Sequence, residues 1–417
     1  MPWRAHGRPC RPALGPAAGN GDGEEVVAGR EADGTRRAGR LEVLNAQYMP
    51  TKGLNTKGST RNRMRRARRS RAVALPGGDA ILHPDLVIGG VTELLHGVAN
   101  PVANTLADVG TYVGRPLEEL FPAPEAVPAV TVTTRWRVGG VLSEDISFRS
   151  LHVPLEPKFH RRYLRDYREA GRVAARRIRP AAAHDRPRLL YLHGYLQPET
   201  LVEELALLTT MALQLNVEII QMQAPYHGRR APRASRFSGE LYWTADLVRS
   251  FEALRQTLLD ARTLLGWLLA KDTRPVGVAG LSLGGVLTLS LACLEERFAF
   301  AVPLVAHMDI AALVSDAPVL TKMRRDLRSF GWGKKEFDDF VRGIGWFELR
   351  PKLPSDRVLM IAASDDRFFD PRLVRRLWRR WGKPAIRWYP TSHIGFLMHL
   401  PEVLGVMREF IDRRAIE

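Results

Sequence analysis

Residues Val276–Leu294 read VGVAGLSLGGVLTLSLACL. Val276, Val278 and Ala279 are small apolar residues suited to a buried strand, and Val286 to Leu294 is an apolar run suited to a buried helix. Between them stands Gly280-Leu281-Ser282-Leu283-Gly284, a G-x-S-x-G pentapeptide followed by Gly285. A sharp strand-to-helix turn of this kind forces its serine into a strained backbone conformation and raises the hydroxyl above the end of a sheet. The glycines fit because a Cβ would clash where strand and helix approach each other. The same stretch is uncharged throughout, and Gly280 and Gly284 also form a G-x-x-x-G, so a bilayer-spanning helix competes as a reading. Four glycines and two serines make it a poor lipid-facing helix.

At this pentapeptide the sequence resembles the α/β-hydrolase superfamily. The flanking residues extend the resemblance from about residue 130 to 417. Arg188–Leu192 (RLLYL) is a compact strand signal followed by His193-Gly194-Tyr195-Leu196. In the superfamily an H-G dipeptide after the third strand brings a backbone N–H to the oxyanion hole. The resemblance implies that Tyr195 supplies it, with Leu196 as the neighbouring choice, and that Leu283 supplies the second. Gly194 would let the backbone approach a substrate. His193 reads better as a histidine that fixes the loop than as a reacting group, although it stays a candidate for substrate contact. The next strand, Val217–Met222, ends in Ala224-Pro225-Tyr226-His227-Gly228-Arg229-Arg230. In the superfamily such a loop overlies the active-site face, so Tyr226, His227 and Arg229 are candidates for substrate contact. Two surface arginines on a loop are the alternative.

Strands and helices alternate from residue 188 onward, which predicts an α/β class: a mostly parallel, twisted sheet covered by helices on both faces. Loops at the carboxyl ends of such strands converge on one rim. Ser282, Asp366 and His393 each follow a predicted strand, in the order Ser, Asp, His that the superfamily uses. A serine hydroxyl is a weak nucleophile at neutral pH, so a histidine must take its proton and a carboxylate must orient that histidine. Asp365 and Asp370 flank Asp366, and Asp309 ends an earlier strand. Asp366 is preferred because Arg367-Phe368-Phe369 resembles the family's acid turn. His399 rivals His393, which follows its strand directly and has Gly395 two residues on.

The remaining chain is organised around this domain. Ala129 to Phe148 alternates like a β-hairpin. Arg161–Arg179 reads as a helix with a solvated basic face and with Tyr163, Leu164, Tyr167 and Val173 turned inward. Residues 309–354 lack a strand pattern and read as a small helical cap. Residues 73–128 read as a helical extension with no chemistry of their own, ahead of a hydrolase domain at 129–417. Residues 1–72 have no sustained period and read as a disordered basic tail.

The chain is 45% hydrophobic and 26% charged, values of a globular protein. Its net charge of +17 suggests a nucleic-acid partner, but residues 1–72 hold 16 Lys/Arg against 6 Asp/Glu, so +10 of it lies in the tail. The cluster Arg61–Arg71 could hold acidic surfaces weakly. A solvated tail, or upstream sequence preceding a true start at Met49 or Met64, explains it better. Specific nucleic-acid binding is not expected. Cys10 and Cys293 make neither a disulfide framework nor a metal cluster, and no G-x-G-x-x-G or P-loop follows a strand, so no cofactor or metal is expected. The lack of an apolar leader or a credible membrane span points to the cytoplasm. The resemblance implies a serine hydrolase that cleaves a small-molecule carboxylic ester, thioester or amide through an acyl-enzyme. Acyl transfer by the same triad and a non-catalytic binding role are the alternatives.

Overall fold

The sheet that carries Val276–Leu281 is nine strands wide, in the order β1-β2-β3-β5-β4-β6-β7-β8-β9. The computed structural model describes residues 83–96, 104, 106–346 and 349–415. The tail 1–72, its basic cluster and both internal methionines lie outside them. All described residues fall in one compact unit.

Three helices come first: α1 (Pro84–His96), α2 (Leu106–Gly110) and α3 (Leu117–Leu120). This extension is packed onto the main domain. Tyr112 donates its hydroxyl to Glu252 at 2.7 Å, and Arg255 donates to the Leu120 carbonyl at 2.7 Å. Next come β1 (Thr131–Val138), β2 (Val141–Arg149), α4 (Pro157–Asp166) and β3 (Arg172–Pro180). β1, β2 and β3 form an antiparallel wing, and β3 pairs antiparallel with β5 (Glu218–Met222).

β3 corrects the helix expected over Arg161–Arg179. Only α4, capped by the Glu156 carboxylate on the Lys158 and Phe159 N–H groups, is α-helical there. Arg161, Arg165, Arg168 and Arg172 are exposed, but Arg176 and Arg177 of β3 meet carboxylates inside the fold. Arg176 is 5% exposed and binds Asp145 and Glu199 at 2.8 Å each, and Glu204 more closely. Arg177 reaches Glu144 at 2.6 Å. Once the charges are paired, β3 is a strand buried on both faces, with Val173 and Ala175 in one core cluster and Ile178 in the other. Tyr163, Tyr167 and Val173 are buried as expected, whereas Leu164 is exposed.

The parallel part of the sheet comprises β4 (Arg188–Leu192), β5, β6 (Val276–Leu281), β7 (Ala301–Leu304), β8 (Leu359–Ala363) and β9 (Ala385–Tyr389). Side chains alternate across it. Leu190, Ile220 and Val278 pack with α6 (Leu247–Leu269) and α7 (Leu283–Leu294) on one face. Leu189, Ile219 and Ala279 pack on the other face with α5 (Thr210–Leu215) and α12 (Leu400–Ala415). This covered, mostly parallel sheet is the expected α/β architecture. Between β7 and β8 the cap region is helical, with α8 (Ile310–Asp316), α9 (Thr321–Ser329) and α10 (Lys334–Gly343). α11 (Pro371–Arg380) follows β8. Among the described residues no helix is long and apolar enough to cross a membrane.

The elbow between β6 and α7 depends on close backbone approach. A Cβ on Gly284 would fall inside the van der Waals envelope of the Leu192 carbonyl at the end of β4, and that contact is backbone on both sides. Gly405, on α12, has nothing within 4 Å of its Cβ position. Gly284→Ala is therefore expected to lower the unfolding free energy by about 1–3 kcal/mol. Gly405→Ala should raise it by roughly 0.5–1 kcal/mol through helix propensity. Urea unfolding of both variants checks the pair, and an unperturbed Gly284→Ala midpoint would contradict the packing described.

Candidate active site

Ser282 follows β6 with φ 59° and ψ −113°, a conformation that a side-chain-bearing residue adopts only when its surroundings enforce it. Its N–H donates to the Leu304 carbonyl of β7 at 3.0 Å, and its carbonyl accepts from Val286 at 3.0 Å. The next residue, Leu283, opens α7, where the first N–H groups of a helix have no intrahelical partner.

His393 and Asp366 meet Ser282 at this rim. The His393 Nε2 accepts from Ser282 Oγ at 3.0 Å, and its Nδ1–H donates to Asp366 Oδ2 at 2.8 Å. The other oxygen, Asp366 Oδ1, accepts from the Phe368 and Phe369 N–H groups at 2.7 and 2.8 Å. The same two phenylalanines stack on the His393 imidazole, with centroids 4.6 and 5.5 Å away. One short turn thus fixes the carboxylate by its backbone and the ring by its side chains.

The rivals have other partners. Asp309 caps α8 through the Ala312 N–H, and Asp370 caps α11 through Arg372. Asp365 accepts from His83, and His399 lies beside Tyr389.

The loop after β4 turns sharply at Leu196, where φ is +63°. It places Gly194 beside the elbow: a Cβ there would lie 3.9 Å from Ser282 Cβ. His193 is buried and fixes the loop. Its Nδ1–H donates to the Gly194 carbonyl at 2.8 Å, and its Nε2 accepts from the Ala224 N–H of the loop after β5 at 3.0 Å.

Of the three expected substrate contacts beyond this loop, the structure buries two. Tyr226 and His227 are each 1% exposed and packed among Tyr167, His193 and Tyr242, so they support the loop from behind. Arg229 is tied to Glu199 and Asp145 at 2.9 and 3.1 Å. Neighbouring Arg230 is fully buried against Asp260 at 2.7 Å. Sequence placement puts this loop at the rim but does not show that Tyr226, His227 and Arg230 turn inward while Arg229 stays exposed.

A small apolar pocket of about 30 Å³ opens at Ser282, walled by Tyr195, Trp243, Leu313, Val319, Leu320 and Phe368 among others. Trp243 also walls a second apolar cavity of about 50 Å³ that runs toward Phe251 and Phe340. Trp243, Leu313 and Val319 carry no signal in the sequence beyond being apolar. Among the described residues no group of three or more His, Cys, Asp or Glu is placed to hold a metal ion.

One further residue reaches the site from α1. Asp85 is fully buried, and its carboxylate accepts from the Arg367 and His393 N–H groups at 3.0 Å each and from Ile394 N–H at 2.9 Å. The extension is therefore not chemically silent, as its sequence suggests, and nothing in its composition points to Asp85.

The comparisons agree with this architecture. A sequence profile of the family described as alpha/beta hydrolase domain containing 18 matches residues 123–318. Two uncharacterized proteins of Mycobacterium tuberculosis, Rv2627c and MT2702, are each 33% identical over 193 residues, 45% of this chain and 45% of theirs. The match thus spans less than half the length of these curated relatives. Among solved structures, an acetyl xylan esterase from Paenibacillus sp. R4 aligns with a TM-score of 0.52 at 15% identity. It covers 77% of this chain and 98% of that one. At that identity the two share a fold.

Three buried histidines around the rim make stability pH-dependent. Burial pushes His193 and His307 down to about 4, and His227 falls well below its ordinary range for the same reason. Unfolded histidines bind protons near pH 6.5, so between about 6.5 and 4 the unfolded chain holds protons that the native chain lacks. Their stabilising contribution is complete above 6.5 and is lost as pH falls through that window. Each histidine adds up to about 1.4 kcal/mol per pH unit to the slope. His307→Asn should flatten the slope of unfolding free energy against pH by about that much. An unchanged slope would mean that His307 titrates alike in both states.

Proposed function

We propose that the chain is a serine hydrolase of the α/β-hydrolase superfamily that cleaves carboxylic esters of short acyl groups; the profile match over residues 123–318 and the shared fold support this. The observation that carries this reading is the continuous hydrogen-bonded line from Ser282 Oγ through the His393 ring to a buried Asp366. It is assembled on a strained elbow, and it borders a pocket open to a ligand.

In this reading Ser282 Oγ attacks the ester carbonyl carbon while His393 Nε2 takes the hydroxyl proton. Asp366, held by two backbone N–H groups, stabilises the imidazolium and fixes which ring nitrogen faces the serine. The N–H groups of Leu283 and Tyr195 receive the oxyanion, each worth about 2.7–4 kcal/mol in the transition state. His393 returns the proton to the departing alkoxide, and the alcohol leaves. Water, deprotonated by the same nitrogen, then attacks the acyl carbon, and the carboxylic acid departs as Ser282 regains its proton.

The acyl length follows from the pocket. A single water needs roughly 10–15 Å³, so a space of about 30 Å³ suits a short chain such as acetyl or propionyl. Trp243 separates that space from the second cavity.

Two experiments test the reading. A fluorophosphonate probe should add one phosphonyl group to wild-type protein and none to Ser282→Ala, read by intact mass. Acetyl ester turnover should fall about 10⁴-fold or more in the variant. A folded wild-type protein that takes no adduct and turns over no ester would overturn the proposal. On an ester panel, Trp243→Ala should move the preferred acyl chain from two or three carbons to six or more. A preference left at acetyl would mean that another wall sets the length.

A further inference from the structure

The tripeptide His83-Pro84-Asp85 grips both loops that bring the proton-handling residues to Ser282. On the acid loop, His83 Nε2–H donates to Asp365 at 3.0 Å, and Asp85 accepts from the Arg367 N–H at 3.0 Å. The residues immediately before and after Asp366 are therefore both held. On the histidine loop, the Asp85 carboxylate accepts from the N–H of His393 itself and from Ile394. His83 in turn accepts from the Asp85 N–H through Nδ1 at 3.3 Å.

A fully buried carboxylate is costly unless its oxygens are satisfied. Asp85 is satisfied by three backbone donors from two separate loops, and charge-assisted bonds of this kind are the stronger class. The carboxylate therefore fixes the spacing between the acid loop and the histidine loop.

The rest of α1 extends the clamp to a third wall. At Gly89 a Cβ would meet Pro318, so the helix lies directly on the segment Pro318–Leu320. Val319 and Leu320 from that segment line the pocket at Ser282.

We infer that Asp85 is a positioning residue for His393 and that α1 is a structural part of the active site. This rests on the hydrolase reading for its kinetic consequence, but not for the clamp itself. Asp85 touches neither the pocket nor Ser282. Its loss should misplace the imidazole relative to both Ser282 Oγ and Asp366 while leaving the substrate-binding wall largely in place. The expected signature is a fall in kcat with little change in KM, since the lost interaction matters only as the proton moves.

The test uses the full chain and two variants. Asp85→Asn replaces one acceptor oxygen with an amide donor facing backbone N–H groups. Gly89→Val leaves the carboxylate intact but pushes α1 off Pro318. Hydrogen–deuterium exchange, read by mass spectrometry, reports the clamp without any need for turnover. In both variants peptides covering 366–369 and 392–396 should exchange about 10–100-fold faster than in wild type, with peptides from β6 unchanged as proof of folding. On an acetyl ester, kcat of Asp85→Asn should fall about 10–100-fold with KM within threefold.

Unchanged exchange in the two loops of Asp85→Asn would overturn the clamp. Faster exchange with kcat intact would reduce Asp85 to a stabilising residue without a positioning role. If wild-type protein shows no ester turnover and no fluorophosphonate adduct, the hydrolase reading fails, and the exchange data still decide whether Asp85 holds the two loops.

Discussion

The structure depends on a close approach of backbone to backbone at the carboxyl end of β6. Gly284 lies against the Leu192 carbonyl of β4, and Gly285 against Leu304 and Ala306 at the end of β7. Only with those side chains absent can α7 start so near the sheet and hold Ser282 at a positive φ. The strain continues along the rim. Leu196, Tyr226, Ser282 and Val305 follow β4, β5, β6 and β7, and all have positive φ. The other non-glycine cases among the described residues, Asn216 and Lys383, follow the ends of α5 and α11. Each such residue costs about 1–3 kcal/mol. The cost falls where four parallel strands end together, which is where a strained main chain can aim a hydroxyl and N–H groups at one point.

A second constraint is the handling of arginine. Arg188 and Arg230 are almost wholly buried, and Arg249, Arg255 and Arg262 nearly so. Each binds backbone carbonyls or carboxylates: Arg188 the Leu268 and Arg274 carbonyls, Arg262 those of Phe121 and Pro122. Planar guanidinium groups with several fixed donors suit this bracing of irregular loops. Arg230 ties the loop after β5 to Asp260 of α6 and to the Ala170 carbonyl. That bracing keeps His227 behind the site, where its neutral ring packs against His193. Part of the basic character of this chain is therefore internal scaffolding and gives no guide to a partner.

Legibility in the sequence tracks how local each signal is. The elbow needs glycines at fixed offsets within six residues, so it is readable as written. Asp366 and His393 are readable because each follows a strand pattern directly. The choice between Asp366 and Asp365 turns on an acid turn whose two phenylalanine N–H groups face the carboxylate. β3 reads wrongly as a helix because a run of arginines is amphipathic in either period, and only carboxylates on β2 and in the segments after β4 decide which one applies. Tyr226 and His227 mislead for the same reason: a loop's chain position fixes which rim it occupies, while long-range packing fixes which way its side chains turn.

Asp85 lies beyond that kind of reading altogether. It acts on main-chain N–H groups, which every non-proline residue carries, across 308 residues to His393. No side-chain type at the receiving end records the contact. The site is divided along the chain accordingly. The region matched by the family profile, 123–318, carries Ser282, Leu283 and the loop with Gly194 and Tyr195, the parts that the proposed mechanism brings to the acyl group. Asp366 and His393, which handle the proton in the proposed mechanism, lie after it, and Asp85 lies before it. At the rim the two flanks are joined to each other through the Asp85 carboxylate, and His393 meets the central region through its hydrogen bond to Ser282 Oγ. In the proposed mechanism proton transfer depends on how firmly the flanks hold each other, and on that inference the earliest described helix of the chain is part of the site.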